Sequence, residues 1–311
     1  MNSKTLFYIL KRVVLALLTV WVVITVTFFV SRAVPGSPFA SEKALTEAAK
    51  AALEAKYGMD KPVMEQYFTY LKDIVTKFDF GPSLTQRGRT VNEIIMDGMK
   101  TSLVLGLIAA GIALVSGVVL GAVAALRRNK IIDKIIMVFT TACVSMPSFI
   151  MGSLLLIVFA ITWKVLPANG TTTEGLILPV ITLSLSPMAN ITRLTRSSML
   201  DVLGQDYIRT AKAKGVSGGR IIFGHALKNS LIPVITYLGP MLAYIVTGSL
   251  VVEQIFAVPG IGQLYVKAVQ QLDYDVFMLD SIFYTFVGLL AGIVVDISYG
   301  FIDPRIRMGE R

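Results

Sequence analysis

The sequence predicts an all-α integral membrane protein with six transmembrane helices, and three observations carry that expectation. Hydrophobic residues make up 54% of the 311 residues and charged ones only 16%, with a mean hydropathy of +0.70; a soluble domain holds roughly 45–50% apolar and 25% charged residues. The apolar residues gather into uncharged runs long enough to cross a hydrocarbon core of about 30 Å. Basic residues crowd some connections and avoid others, as a fixed orientation in a membrane requires. The net charge of +9 fits anionic lipid headgroups, and no aromatic-rich basic groove or nucleic-acid motif accompanies it, so the expected partner is the lipid bilayer and not nucleic acid.

Lys4, Lys11 and Arg12 precede an uncharged run from Val13 to Ser31. It is longer than the roughly 7–15 apolar residues of a secretory signal, so residues 1–32 read as a cytosolic N-terminus and a first span that stays as an anchor. Pro35-Gly36-Ser37-Pro38 stops that helix and opens an external helical segment, residues 33–100. Within it Ser41 is expected to cap a helix to about Tyr57, ended by Gly58. Asp60 is expected to cap a second helix, with Pro62 in its first turn and Tyr67, Tyr70, Leu71 and Ile74 on one face. These two small helices should pack on the outer rim of the membrane. Phe78 to Ser83 reads as a turn, and Thr90 with Glu93 as a capping box leading into the next span.

Residues 101–311 then supply five more spans. Leu103 to Leu126 is rich in small residues (Gly106, Gly111, Gly117, Gly121), which let helices approach closely. Arg127, Arg128, Lys130 and Lys134 crowd the following loop and make it cytosolic, whereas the loops near Lys164 and Lys267 hold one basic residue each. The third span is expected from about Ile135 to Trp163 through Pro147. Leu166 to Gly170 turns the chain outside, and the fourth span runs from about Leu176 to Ile191, with Pro179 and Pro187, before Arg193 and Arg196. The fifth starts at Pro233 and continues past Gly239-Pro240 to Val252, with a kink suited to lining a path. The sixth runs from Met278 to Tyr299 with Asp296 near its inner end. Both termini are then cytoplasmic.

The longest polar interruption of the second half lies between Asp206 and Pro233, inside a cytosolic loop spanning 193–231. Tyr207, Ile208 and Ala211 fall at helical spacing, Asp206 can cap the start, and Gly215 suits the position just past the end. Ser217 can cap a second helix whose apolar side is Ile221, Ile222, Ala226 and Leu227, while Arg209, Lys212, Lys214, Arg220 and Lys228 keep the segment at an aqueous surface. On charge alone this is a solvated loop held by headgroups.

Cys143 is the sole cysteine and His225 the sole histidine, which excludes an internal disulfide and a His/Cys zinc cage and leaves hydrolytic chemistry without a plausible base. No G-x-x-x-x-G-K-[ST] occurs, so any ATP that drives this protein binds another chain. An intramembrane enzyme or a secondary transporter would place ionisable residues in mid-span. Only Asp280 and Asp296 fall in the spans, both near an end, and internal repeats are absent. Asp296 there reads as a carboxylate reaching water or capping a neighbour, and His225 as a structural polar residue.

The order of motifs carries a resemblance. Gln205-Asp206-Tyr207-Ile208-Arg209-Thr210-Ala211-Lys212-Ala213-Lys214-Gly215, followed by His225 to Pro233, resembles the cytoplasmic loop of permease subunits of peptide-importing ABC transporters. Thr210-Ala211-Lys212 stands where importers in general carry Glu-Ala-Ala, and Gly215 lies farther from Pro233 than their pattern asks. Both departures are those of the oligopeptide, dipeptide and nickel branch. Glu253 to Gly262 is similar to that family's Glu-x-x-Phe-x-x-Pro-Gly-x-Gly signature, and Pro35-Gly36, Tyr57-Gly58-x-Asp60-x-Pro62, Asp79-Phe80-Gly81-x-Ser83 and Asp303-Pro304-Arg305 fall in the family's order.

The resemblance implies a type I ABC importer permease fold, closest to the B-type subunit of oligopeptide permeases. It implies no catalytic residue or metal in this chain, with ATP and Mg²⁺ bound by partner ATPases. The implied partners are a second homologous permease, two cytosolic ABC ATPases and an external peptide-binding protein. Asp206, Tyr207, Ile208, Arg209, Ala211, Lys212, Lys214 and Gly215 are then expected to form the ATPase-coupling loop, with Ile208 and Ala211 as apolar contacts. Pro233, Gly239, Pro240, Gly248, Glu253, Pro259, Gly260 and Gly262 are the expected translocation path. The implied cargo is a peptide, an oligopeptide by the proportions of the outer segment, with dipeptides or nickel chelates as the alternatives within the family.

Overall fold

The computed structural model describes residues 3–35, 53–56, 58–86, 88–246 and 250–302. The expected helix from Ser41 to Tyr57 (apart from helical residues 53–56), Gly248 and Asp303-Pro304-Arg305 lie outside the described residues, as does the side chain of Asp296. All regular elements among the described residues are helical, beside an isolated antiparallel bridge between Pro82 and Thr90. By packing, the chain divides into two units, residues 1–102 with 259–289, and 103–258 with 290–311.

The first unit contains α1 (Ser3–Ala33), α2 (Val63–Lys77) and the start of α3 (Val91–Leu126). The start of α3 carries the expected reciprocal cap: Thr90 N–H donates to Glu93 Oε2 at 3.2 Å and Glu93 N–H to Thr90 Oγ1 at 3.3 Å. Tyr67, Tyr70, Leu71 and Ile74 of α2 face inward as expected. Pro62, not Asp60, is the residue preceding the helix, since a proline needs no N–H in that position. Gly81 takes φ +90° in the turn before α3, and its N–H donates to Asp79 Oδ1 at 2.9 Å. The same unit holds α11 (Ile261–Gln271) and the start of α12 (Tyr274–Ile302). The labels α4 to α10 belong to the second unit.

Between α11 and α12, buried Asp273 accepts four hydrogen bonds, from the hydroxyls of Ser83 and Thr85 and the backbone N–H groups of Leu84 and Thr85. Four donors on one buried carboxylate offset its desolvation and fix the turn before α3 to the entry of α12. The helix α11 was not expected: Pro259-Gly260-Ile261-Gly262 reads as a loop signature, yet Ile261, Leu264, Tyr265 and Ala268 recur on one face behind it.

The second unit contains the rest of α3, then α4 (Ile131–Ser145), α5 (Ser148–Thr162), α6 (Ile177–Leu203), α7 (Asp206–Ala213), α8 (Gly218–Ser230), α9 (Ile232–Val246) and α10 (Leu250–Ile255). The glycines of α3 do what small residues are expected to do. A Cβ on Gly117 would sit 2.8 Å from Ile191 Cβ, one on Gly121 2.6 Å from the Thr192 carbonyl oxygen, and one on Gly106 3.0 Å from that of Ile245. Helices α6 and α9 therefore lie against α3 almost at backbone contact.

Three expected spans differ. The third is broken by 108° between α4 and α5, because proline excludes its predecessor from the helical region: Met146 is extended at φ −88°, ψ 128°. The fourth does not end at Ile191. α6 runs to Leu203, since nothing breaks it and Arg193 and Arg196 find partners along its side. The fifth is preceded by α8, from which α9 is bent by 47° at Leu231. Among the described residues three helices are long and apolar enough to cross a membrane, and five if each bent pair counts as one span. The sixth, α12, is helical over 29 residues, with side chains described to residue 290.

Gly121→Val should destabilise the protein by about 1–3 kcal/mol, because the obstacle is backbone that cannot yield. Gly111→Ala should be tolerated, since nothing lies within 4 Å of its Cβ position. Cys143 is buried and free, so the temperature at which its thiol becomes reactive reports both. Equal midpoints for the two variants would refute the close approach.

Candidate functional site

The basic stretch folds as a two-helix ledge. In α7, Gln205 precedes the helix and makes no side-chain cap. Asp206, expected there, is instead the first helical residue, where a carboxylate complements the N-terminal dipole and pairs with Arg209 at 3.5 Å. The C-terminus closes as a Schellman motif: Val216 N–H donates to Ala211 O at 3.1 Å and Gly215 N–H to Lys212 O at 3.0 Å. Gly215 takes φ +77° to do so, which is the role expected of it. Ser217 precedes α8 but its hydroxyl makes no cap bond. Within α8, residues Ile221–Leu227 are wound as a π-helix.

Ile208 does not face outward. It is fully buried within this chain, and α7 packs on the π stretch of α8, helped by Asn229 Nδ2 donating to Tyr207 Oη at 3.0 Å. Its burial follows from the spacing that placed it on the apolar side of α7, because α8 covers that side. The surface left open includes Asp206, Tyr207, Arg209, Lys212, Lys214 and Gly215, with Ala211 half-buried. To these α8 adds Phe223, 72% exposed, a residue that sequence reasoning missed because α-helical spacing groups it with Ala226 and Leu227 on the packed side, whereas the stretch is π-wound.

The helix that leads into the ledge, α6, is tied to α4. Asp133 at the start of α4 receives Arg196 of α6 in a bidentate pair, Nε–Oδ1 2.7 Å and Nη2–Oδ2 2.8 Å, and also accepts the Asn129 N–H at 2.9 Å. The Asp133 side chain is 4% exposed and that of Arg196 23%. Arg193 Nη2 reaches Thr141 Oγ1 at 3.1 Å, one turn along. The signal for this pair was a lone acid inside a run of bases, with its partner 63 residues away.

Between α4, α5, α6 and α9 lies a cleft of about 420 Å³ lined by Met146, Pro147, Ser148, Thr182, Ser186, Pro187, Tyr237 and Pro240 among others. Three prolines from three segments meet there, with hydroxyls between them. Tyr237 Oη accepts a hydrogen bond from Asn190 Nδ2 at 3.2 Å. The volume falls within the roughly 300–1,000 Å³ of small-ligand sites.

Of the expected path residues, Pro240 lines this cleft, Pro233 is half-buried in the first turn of α9, and Gly239 is buried. Glu253 is fully buried in α10. The segment after it is core as well: Phe256 and Val258 are buried, the Phe256 carbonyl accepts the Gly170 N–H at 2.6 Å, and a Cβ on Gly170 would meet Val258. In the first unit Pro259 is exposed, but Gly260 and Gly262 are buried where α11 begins. There Ile261 N–H donates to Ser102 Oγ at 2.9 Å, and a Cβ on Gly98 would lie 3.3 Å from the Gly260 carbonyl carbon. The glycines of this signature serve close packing.

Two family profiles match in succession. The N-terminal membrane component of binding-protein-dependent transport systems covers residues 5–105, and the inner membrane component of the same systems covers residues 117–308. The chain belongs to this family. A dipeptide transport system permease protein of Bacillus subtilis is 46% identical over 305 residues, covering 98% of this chain and 99% of the relative. An oligopeptide transport system permease protein of Haemophilus influenzae is 44% identical over 303 residues, covering 96% and 99%. Among solved structures, the inward-facing MetNI methionine ABC transporter aligns with a TM-score of 0.52 at 16% identity, over 67% of this chain and 97% of that one. An amino acid ABC transporter aligns with a TM-score of 0.53 at 13% identity, over 66% and 92%. The importer permease fold is thus shared, and as an inner membrane component of a binding-protein-dependent system the chain is a transport subunit, not an enzyme by itself.

Arg196→Ala leaves Asp133 buried without its cation and should cost about 3–5 kcal/mol, with Arg196→Lys recovering part of it. Arg209→Ala removes only an exposed pair and should be close to neutral. Recovery of monodisperse protein after graded heating in detergent checks the order; a loss for Arg196→Ala no larger than for Arg209→Ala would rule out the tie.

Proposed function

We propose that this chain is the permease subunit of an ATP-driven importer that carries peptides into the cytosol. The observation that carries the reading is similarity at 44–46% identity over almost the whole length to permeases named for dipeptides and for oligopeptides. Because relatives of both names match this well and over almost the same length, the reading commits to peptides as a class. Both termini and the ledge face the cytosol, in keeping with Arg127, Arg128, Lys130 and Lys134. A second permease completes the membrane part, two ATPases supply ATP and Mg²⁺ sites, and an external binding protein delivers cargo.

The geometry suits coupling. α6 passes from the cleft to Leu203 and is joined to α7 through Gly204 and Gln205, while α8 passes into α9 through Leu231 alone. Pro240 lies eight residues along α9, about 12 Å from its start. A push on α7 and α8 therefore reaches two walls of the cleft through one short joint each, Gly204-Gln205 and Leu231, and the Asp133–Arg196 pair brings α4 with them. The ATPase meets Tyr207, Ala211 and Phe223, with the surrounding lysines and Arg209 at the rim. Ile208 holds α7 to α8 and acts through that contact.

Phe223→Ala should cost about 2 kcal/mol of docking, or roughly 30-fold in affinity, and Ala211→Asp should weaken it further by adding a charge at a half-buried site. Copurification of the ATPases with each variant, alongside peptide uptake, is the measurement. Full recovery and full transport by both would remove the ledge from the coupling route.

Ser186→Trp, which fills the cleft, should stop peptide uptake while the permease still copurifies with its ATPases and basal ATP hydrolysis persists. Normal uptake would place the cargo path elsewhere.

A further inference from the structure

Helix α2 has one apolar side more than its packing uses. Tyr67, Tyr70, Leu71 and Ile74 are turned inward. Met64, Phe68 and Val75, which with Leu71 recur at i, i+4, i+7 and i+11, form an adjoining stripe that remains 54%, 62% and 82% exposed. Phe78, 73% exposed, extends it by one turn. Apart from Val63 in its first turn, 42% exposed, the rest of the helix is polar, with Glu65, Thr69, Lys72, Thr76 and Lys77 exposed.

The position of α2 against α1 says what this stripe meets. Tyr67 Oη and Thr25 Oγ1 are 2.7 Å apart, Arg32 Nε donates to Gln66 Oε1 at 3.0 Å, and the Phe28 and Phe29 rings lie 5.4 and 5.3 Å from that of Tyr67. All four α1 residues belong to the apolar stretch Leu10–Ala33. From Thr25 to Arg32 the contact covers about 10 Å of helix, so α2 lies along the last turns of a membrane span and not beyond them. The lipid-facing residues of α1 at that depth, Val26, Phe29 and Val30, are themselves exposed. Their surface continues from Phe29 through Tyr67 to Phe68, whose ring is 5.5 Å from that of Tyr67.

The end of α2 adds an independent observation. Phe78 ends the helix in the left-handed region at φ +53°, a conformation glycine adopts with least strain. Its ring meets that of Phe80 edge-on at 5.3 Å between centroids and otherwise points outward, in line with the stripe.

We infer that α2 is an interfacial helix whose stripe of Met64, Phe68, Val75 and Phe78 is seated in the leaflet where α1 ends. Its occupant is lipid. The stripe enters the boundary between headgroups and acyl chains, Lys72 extends to the headgroup phosphates, Lys77 stays paired with Asp73 at 2.8 Å, and Glu65, Thr69 and Thr76 face water. The segment between α1 and α3 is thereby held at a set depth as well as by the Asp273 cluster.

Single nitroxide labels test this in the assembled transporter, without its binding protein, in phosphatidylethanolamine/phosphatidylglycerol vesicles and a Cys143→Ala background. For labels on Met64→Cys, Phe68→Cys and Val75→Cys, collision with molecular oxygen should exceed collision with chromium oxalate several-fold. The order should reverse for Glu65→Cys, Thr69→Cys and Thr76→Cys. Free access of chromium oxalate to positions 68 and 75 would put the stripe in water and overturn the inference. Low collision with both reagents there would show a protein surface, either residues 36–52 or a partner subunit, and would overturn it equally.

Discussion

Hydrocarbon offers no partner to a backbone N–H or C=O, so a chain inside it is helical wherever lipid touches it and irregular only where protein covers the break. The architecture of the second unit is a consequence of that constraint. Its sharp break, 108° at Met146–Pro147, borders the cleft. So do Pro187, which removes the donor owed to the Leu183 carbonyl, and Pro240, which removes the one owed to Thr236. A path for a polar cargo needs acceptors that are otherwise unused, and proline within a span provides them without adding charge.

Close packing supports these interruptions. Gly106, Gly117 and Gly121 bring α3 against α9 and α6, which are the helices that carry Pro240 and Pro187. The dispersion gained at such short range offsets what each proline removes. Near the ledge the Asp133–Arg196 pair performs a similar task with charge. Its two hydrogen bonds and the Asn129 N–H occupy the carboxylate, so a buried acid becomes a joint between α4 and α6.

The legible parts of the sequence were the local ones. The Thr90/Glu93 box, the Gly215 terminus, the inward face of α2 and the glycines of α3 each depend on residues within a few positions or on a property of one helix surface. Ile208 was read correctly as apolar and placed on the wrong partner, because periodicity marks a buried side without saying which chain buries it. The Glu253 to Gly262 signature was expected to face cargo, yet Glu253, Phe256, Gly260 and Gly262 are packed. Gly170, Ser102 and Gly98, the residues that pack on this signature, are far off in sequence, and no local pattern announces them. The extent of the break at Pro147 and the start of α11 behind Pro259-Gly260 were hidden for a related reason: proline and glycine announce a change of direction without giving its size or the kind of element beyond it.

The π stretch Ile221–Leu227 forms the middle of α8, ahead of α9. A π-helix carries more residues per turn than the α-helix on either side of it, in effect an insertion that the helix has absorbed. Removing one residue there restores ordinary winding and leaves α9 facing as it does, whereas removing one from the α-helical turns beyond it rotates everything downstream by about 100°. Tyr237 and Pro240 would then turn away from the cleft, although every residue touching it was still present. The same one-residue deletion is accordingly absorbed within Ile221–Leu227 and becomes a change of phase past Lys228, where its effect would be felt at the cleft and not at the place where it was made.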